Sequence, residues 1–218
     1  MNCVVAATDG TRLFIGPDIP VRKGTEGWAF VVAHLLEVAP PEGQEVSISV
    51  DADYRRELSL GHTACHLASL ALNRALADRW SKETSADALG SPNFDQAAND
   101  TSTIVPNGSF DTYRLNKSLR RKGFVTDGFA EALPTVTDAI NAQLASWVAA
   151  DAPVRIDRDG EQLTDRRNWV CTLPDGEAVI PCGGTHASGL AELGDLRVTL
   201  ELDEAEGTPV FTMRTSTA

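Results

Sequence analysis

Residues 61–67 read Gly61-His62-Thr63-Ala64-Cys65-His66-Leu67, and an apolar run follows them. Leu67, Leu70, Ala71, Ala75 and Leu76 recur mostly at steps of three and four, the period of an amphipathic helix. The spacing predicts a helix over about residues 60–80, with His62 and His66 in its first turns. Residues four apart on a helix lie one above the other, so these two imidazoles can share one ion. The chain has four histidines, and a third, His186, closes the stretch Cys182-Gly183-Gly184-Thr185-His186, again with a spacing of four. Glycines after Cys182 predict a tight turn that aims Cys182 and His186 at one point.

Together His62, His66, Cys182 and His186 form a set of three imidazoles and one thiolate, a donor mixture suited to zinc. The count leaves two readings open: a structural ion closed by four protein ligands, or a catalytic ion with one ligand displaced. Thr63 stands where the HExxH metalloproteases carry their glutamate, which excludes that arrangement. The hydroxyls of Thr63 and Thr185 flank the motifs. Each is a group that orients a water or selects a substrate bearing an amine or hydroxyl, or else a cap or turn hydroxyl. Neither has a visible partner base. An open ion polarises a carbonyl or acidifies a water, and ester or amide hydrolysis is the natural chemistry. Cys65 lies about a quarter turn from the face shared by the two histidines. It reads as packing, like Cys3 and Cys171, and is the first substitute ligand. His34, inside Phe30-Val31-Val32-Ala33-His34-Leu35-Leu36, reads as a buried or edge histidine.

Working outward, residues 1–53 read as a small β-rich unit. Asn2–Thr8 ends at the Asp9-Gly10 turn, residues 11–16 form a second short strand, and the apolar run 28–36 is a strand or a short helix. Residues 46–53, Val-Ser-Ile-Ser-Val-Asp-Ala-Asp, alternate apolar and polar as a half-buried strand does. Residues 54–218 read as a second, metal-binding domain. Residues 81–108 are rich in turn formers and read as a long loop or short strands. A second long helix is expected over 133–150, with Pro134 in its first turn and Ile140, Leu144, Trp147 and Val148 as its buried stripe. Strands are expected at 152–159, 168–173, 177–184, 196–202 and 209–214. The class is α+β, with long helices packed on an antiparallel sheet.

The chain has 218 residues, 42% of them hydrophobic, and a net charge of −12. That length and apolar content support a real core. No apolar run is long enough to span a bilayer. Residues 1–10 lack the pattern of a secretory leader, and four cysteines make no disulfide framework. A reducing cytoplasm is the expectation. The acidic balance favours solubility and excludes a grip on nucleic acid over the whole surface. Any polyanion must meet a local patch.

The stretches "HTACHL" and "CGGTH" resemble the two metal-binding motifs of the alanyl-tRNA synthetase editing domain and its free-standing relatives, the AlaX-type trans-editing proteins. "VDADYRREL" precedes the first motif, much as a strand ending in aspartate and followed by arginines does in that family. "AELG" follows the second, where the family usually carries threonine-glycine-glutamate-isoleucine-glycine. Glu192 and Gly194 keep their offsets from His186, while Leu190 and Ala191 replace the threonine and first glycine. The resemblance covers about residues 46–195. It implies an α+β editing-domain-like fold, zinc held by His62, His66, Cys182 and His186, and deacylation of alanine tRNA mischarged with serine or glycine. It also implies a catalytic role for Thr63 in positioning or discriminating the aminoacyl group. The editing domain of threonyl-tRNA synthetase is similar, but its second motif lacks the CGGTH wording. Two departures stand out: "PEGQEV" takes the place of the family's glycine-rich run ending in glutamine, and residues 81–130 have no evident match. Beside this reading stand a zinc-stabilised module that binds RNA or protein without catalysis, and a metal hydrolase of small esters or amides.

A tRNA acceptor end needs cations. The densest set is Arg114, Lys117, Arg120, Arg121 and Lys122. If this segment is helical throughout, Arg114, Lys117 and Arg121 share a face and neutralise backbone phosphates. Arg55 and Arg56, just before the first motif, form a second candidate patch, one of them pairing with Asp51 or Asp53.

Overall fold

The computed structural model describes residues 2–205 and 207–217. The chain divides into two compact units, Met1–Ser49 with Asp157–Arg167, and Val50–Ile156 with Asn168–Ala218. The first unit holds three antiparallel strands, β1 (Asn2–Thr8), β2 (Leu13–Ile15) and β3 (Ala29–Leu35), in the order β2-β1-β3. The ambiguous run 28–36 is therefore a strand, and His34 is exposed on an edge strand.

The second unit is built around α1 (Ala52–Ala75). This helix begins about eight residues before the periodicity predicts. Asp51 caps it by accepting from the Tyr54 amide at 2.9 Å, and such a cap contributes about 1 kcal/mol. The capping aspartate belongs to the stretch whose alternation predicts a strand. Residues 46–50 pair with no strand among the described residues, and Val46, Ile48 and Val50 are exposed. Alternation specifies a strand only when a neighbouring strand or core meets its apolar face, and here none does.

After α1, a short helix α2 (Phe94–Ala98) leads into β4 (Asn99–Val105) and β5 (Gly108–Arg114). α3 (Lys117–Arg121) is a single short turn capped by Asn116. α4 (Phe129–Ala149) starts four residues before the expected boundary, so Pro134 lies inside the helix rather than in its first turn. Gly128 at φ 64° reverses the chain just ahead of α4. Of its predicted stripe, Ile140, Leu144 and Trp147 are buried, and Val148 packs at the core margin. The strands β6 (Val154–Arg158), β7 (Arg167–Leu173), β8 (Gly176–Pro181), β9 (Arg197–Ala205) and β10 (Thr208–Ser216) complete the chain. They form a four-stranded antiparallel sheet, β4-β5-β10-β9, and a three-stranded sheet, β6-β7-β8. α1 and α4 pack on the larger sheet and on each other. This is the α+β class with helices on antiparallel sheet.

Leu67, Leu72 and Leu76 of the α1 side are fully buried with Trp147 and Trp169; each such side chain contributes about 2 kcal/mol on leaving water. Phe94, Tyr113 and Phe211 form an aromatic cluster, with Tyr113 and Phe211 stacked at 4.6 Å. Two polar ties fix the helices. Asp175 accepts from the Trp147 indole at 2.6 Å and pairs with Arg74 at 2.7 Å. Asn141 exchanges both of its amide hydrogen bonds with the backbone of Val198.

A close backbone contact lies at Gly61, where a Cβ would stand 2.5 Å from the carbonyl oxygens of Val105 and Gly108. α1 therefore meets the β4–β5 turn backbone against backbone. We expect Gly61→Ala to force the two apart and to destabilise the protein by about 3 kcal/mol. Thermal unfolding by circular dichroism should show a Tm about 6–12 °C lower. An unchanged Tm would show that the turn yields.

Candidate metal centre

His62 and His66 project from one face of α1, with ring centroids 4.9 Å apart. Cys182 and His186 lie just beyond β8, in the loop leading to a 3₁₀ turn at Leu190–Leu193. The four ligand atoms lie within 4.8 Å of one another. The Cys182 sulfur is 3.5 Å from His62 Nε2 and 3.3 Å from His186 Nε2. The four residues read from the two motifs thus meet at one point and could coordinate a metal ion.

The donor chemistry passes a direct test. His66 Nε2 is buried and has no hydrogen-bond partner, a state that ordinarily costs about 1–3 kcal/mol. A coordinated ion removes that cost. Burial pushes His66 down to about 3, helped by its neighbour His62. Burial also takes His186 down to about 3, with His62 and His66 adding to the shift. Burial lowers His62 too, opposed by a backbone hydrogen bond to Thr185. At neutral pH all three imidazoles are uncharged and keep a lone pair for a metal.

The second glycine of the CGGTH stretch has a different reason from the one its sequence implies. Neither Gly183 nor Gly184 is in the left-handed region. A Cβ on Gly184 would instead collide with the His62 ring. Glu192 explains its own place: its carboxylate accepts from both the amide and the hydroxyl of Ser188 at 2.8 and 2.7 Å. This ties down the loop two residues past His186. Gly194, at φ 57°, lets the chain turn away immediately afterwards.

Both flanking hydroxyls are engaged. Thr63 is fully buried; its oxygen accepts from the Ala187 amide at 3.0 Å and lies 3.2 Å from His186 Nδ1. It touches the far side of a ligand ring. The Thr185 hydroxyl is 2.6 Å from Ser59 Oγ, which donates to the Arg55 carbonyl.

Two clefts adjoin the cluster. One, of about 380 Å3, is lined by Arg55, Arg56, Ser59, His186, Ser188 and Glu192. The other, of about 490 Å3, has His62 and His66 on its wall together with Cys65, Ser102, Asp95 and Asp111. Cys65 is thus not simply core packing. Its sulfur lies 3.7 Å from Asp111 Oδ1, and burial, with Asp111 next, pushes its thiol up to about 12. Asp95 and Asp111 escaped the sequence reading. A signal was present: in the β5 stretch Gly108–Arg114, Phe110 faces out while Asp111 shares the inward parity of Tyr113.

The cationic residues separate. Arg56 pairs with Glu192 at 3.8 Å, not with Asp51 or Asp53, and Arg55 lines the smaller cleft. Arg114 ends a strand and pairs with Asp100 at 2.9 Å, so it shares no helical face with Lys117 and Arg121. Arg120 donates to the Leu115 carbonyl at 2.9 Å. Lys117, Arg121 and Lys122 are exposed, and Lys82 joins them by donating to the Arg121 carbonyl.

No family model matches the chain. It is 28% identical over 214 residues to an alanine–tRNA ligase of Frankia casuarinae, covering 91% of this chain and 21% of the relative. It is also 28% identical over 194 residues to the chloroplastic/mitochondrial alanine–tRNA ligase of Arabidopsis thaliana, covering 86% and 16%. Against the alanine–tRNA ligase of Salinibacter ruber it is 28% identical over 184 residues, covering 81% and 17%. The chain spans about a fifth of the length of these relatives. The similarity supports a place in the broader alanyl-tRNA ligase superfamily. No helix among the described residues is long and apolar enough to cross a membrane.

The geometry gives Thr63 a measurable role on His186, because partners behind a ligand ring set its tautomer and orientation. Thr63→Val should weaken metal affinity about 10–100-fold, while Thr63→Ser should retain it. Titration with a competing chelator measures both. Equal affinities in the valine and serine variants would remove the hydroxyl from the metal centre.

Proposed function

We propose that this chain hydrolyses the ester joining an amino acid to the 3′ end of tRNA, with zinc held by His62, His66, Cys182 and His186. The substrates implied are alanine tRNAs mischarged with serine or glycine, as for the editing domain and the AlaX-type proteins it resembles. The observation that carries the reading is the convergence of four neutral or thiol donors between two open clefts, in a chain similar to alanine–tRNA ligases. Three imidazoles and one sulfur match the ligand preferences of zinc better than those of the hard, oxygen-seeking cations.

Zinc, when bound, supplies Lewis acidity toward a carbonyl or a water. The chain's own residues do the positioning. Thr63 acts through His186, holding that ring by Nδ1 while its oxygen also accepts a hydrogen bond from the Ala187 amide. Glu192 holds the loop behind it, and Arg55 offers its charge to a phosphate in the smaller cleft. In the hydrolysis, a water oxygen joins the ester carbonyl carbon, the bond from that carbon to the ribose oxygen breaks, and the ribose oxygen leaves with a proton. The neighbouring 2′-hydroxyl passes that proton on and is restored by the proton the attacking water gives up.

A second reading has its own support: all four ligand atoms already face one another, as in a closed structural ion that stabilises a binding module. Assays of seryl- and glycyl-tRNA for alanine, beside free amino-acid esters, separate the readings. We expect deacylation of the tRNAs and one zinc per chain, both lost in the Cys182→Ser/His186→Ala double variant. Comparable turnover of free esters would make the protein a small-ester hydrolase. Folded, zinc-loaded protein that hydrolyses none of them would leave the binding module.

The cationic turn generates a separate expectation. Arg120 is anchored to Leu115, so the test neutralises Lys117, Arg121 and Lys122 together. KM for aminoacyl-tRNA should rise with little change in kcat, and the salt dependence of kcat/KM should flatten by about two to three units of log–log slope. An unchanged slope would place the nucleic acid elsewhere.

A further inference from the structure

The larger cleft carries charge that the chain does not neutralise. Asp111 is 2% exposed; its carboxylate accepts from Ser109 at 2.7 Å and meets the Cys65 thiol at 3.7 Å. Asp95 is held by the Tyr113 hydroxyl at 2.9 Å. Neither carboxylate forms an ion pair with lysine or arginine among the described residues. Both line the same cavity of about 490 Å3 as His62 and His66, and Ser69, Ser102 and Asn99 add hydrogen-bonding groups to its wall. A buried carboxylate such as Asp111 without a counter-ion is costly, and a cavity beside it and the half-buried Asp95 gives room for a cation from outside the chain.

The described residues hold one group of histidine, cysteine and acidic side chains able to share an ion, the His62–His66–Cys182–His186 cluster, and Asp95 and Asp111 are not part of it. The second cleft beside the cluster supplies an independent clue. The smaller cleft, reached past His186, carries Arg55 and Arg56. A cleft carrying Arg55, with Arg56 paired to Glu192, and an acidic cleft thus adjoin one cluster. Their order matches an aminoacyl ester, which has phosphate on its nucleotide side and ammonium on its acyl side.

We propose that the acidic cavity receives the amino-acid part of the substrate and that Asp111, with Asp95, selects for an ammonium group on it. This rests on the ester-hydrolase reading and adds a substrate class: acyl groups with a free amine, in preference to N-acylated ones such as formylated or peptidyl esters. The ammonium comes from the α-amino group or from a basic side chain. The cavity is wider than glycine or serine fills, so both sources fit the same chemistry.

Binding rather than turnover tests it, so that its failure is distinct from failure of the hydrolase reading. The probes are non-hydrolysable 3′-amido analogues of aminoacyl-adenosine carrying glycine, N-acetylglycine, lysine and Nα-acetyl-lysine, titrated calorimetrically into the zinc-loaded full chain. We expect free glycine amide to bind at least tenfold tighter than its acetylated form, and this ratio to collapse toward one in Asp111→Asn with zinc content unchanged. Should Nα-acetyl-lysine keep the preference while N-acetylglycine loses it, the side-chain ammonium is a source as well. Asp95→Asn provides a second variant on a different element, so a folding defect in Asp111→Asn does not decide the matter. No preference for any free amine, or a preference that survives both substitutions, overturns the proposal. Binding with this preference but no hydrolysis of the matching aminoacyl-tRNA would uphold it and reject the hydrolase.

Discussion

The candidate metal cluster depends on how closely α1 approaches the turn between β4 and β5. Gly61 leaves no room for a side chain against the Val105 and Gly108 carbonyls, and Gly108 in turn has none against the Thr215 carbonyl of β10. The larger sheet therefore sets the height of α1 through two successive backbone contacts. His62 is the next residue along. On its other side, Gly184 again lacks space for a Cβ, this time against the His62 ring. The path from sheet to helix to imidazole to loop thus runs through three glycines at van der Waals contact. Contacts between backbones do not adjust by rotamer changes, so small displacements anywhere along this path move a ligand atom.

The parts of this design that repeat at a fixed spacing were legible in the sequence. Two pairs at a spacing of four were enough to pick out the four residues that converge in the candidate cluster, because a helix and a short loop each return residue i+4 to the neighbourhood of residue i. The α+β class followed from apolar runs and turn residues, and the α4 stripe from its period. What failed was local pattern without tertiary context. Residues 46–50 alternate like a strand but find no partner, and the Asp51 cap turns the chain into α1 immediately afterwards. Arg114 and Lys117 are three apart, yet a strand end and a helix cap lie between them. The acidic cavity was hidden for the same reason. Asp95 and Asp111 are sixteen positions apart on different elements, and only the packing of α2 and β5 against α1 brings them beside Cys65.

Polar groups divide sharply between supporting the cluster and facing the clefts. Thr63, Thr185 and Ser188 spend their hydroxyls on protein partners. They fix His186 and its loop, which a water or substrate could not do with comparable order. Arg55 and the acidic pair face open volume instead. This division suits a site on a chain with net charge −12: a polyanion is repelled over most of the surface, and a short cationic cleft at the cluster gains selectivity because its surroundings do not compete for phosphate.

The same arrangement links the order of the site to its ion. Three half-buried imidazoles and a cysteine sulfur crowd together, with the His66 and His186 rings stacked at 5.2 Å. Trp169 packs against His66 with ring centroids 5.2 Å apart, and the Nε2 of that histidine is left without a partner. Apolar residues of the same volume would stabilise such a position better than imidazoles do. Once an ion takes up the four donors, the cost of desolvating them becomes part of the binding free energy, and the loop 182–188 is held by coordination as well as by Glu192. The loop and α1 belong to the same packed unit as the acidic cavity. An ion that fixes His62 and His66 therefore also fixes one wall of that cavity, and metal occupancy and the binding of anything in the cavity become thermodynamically linked.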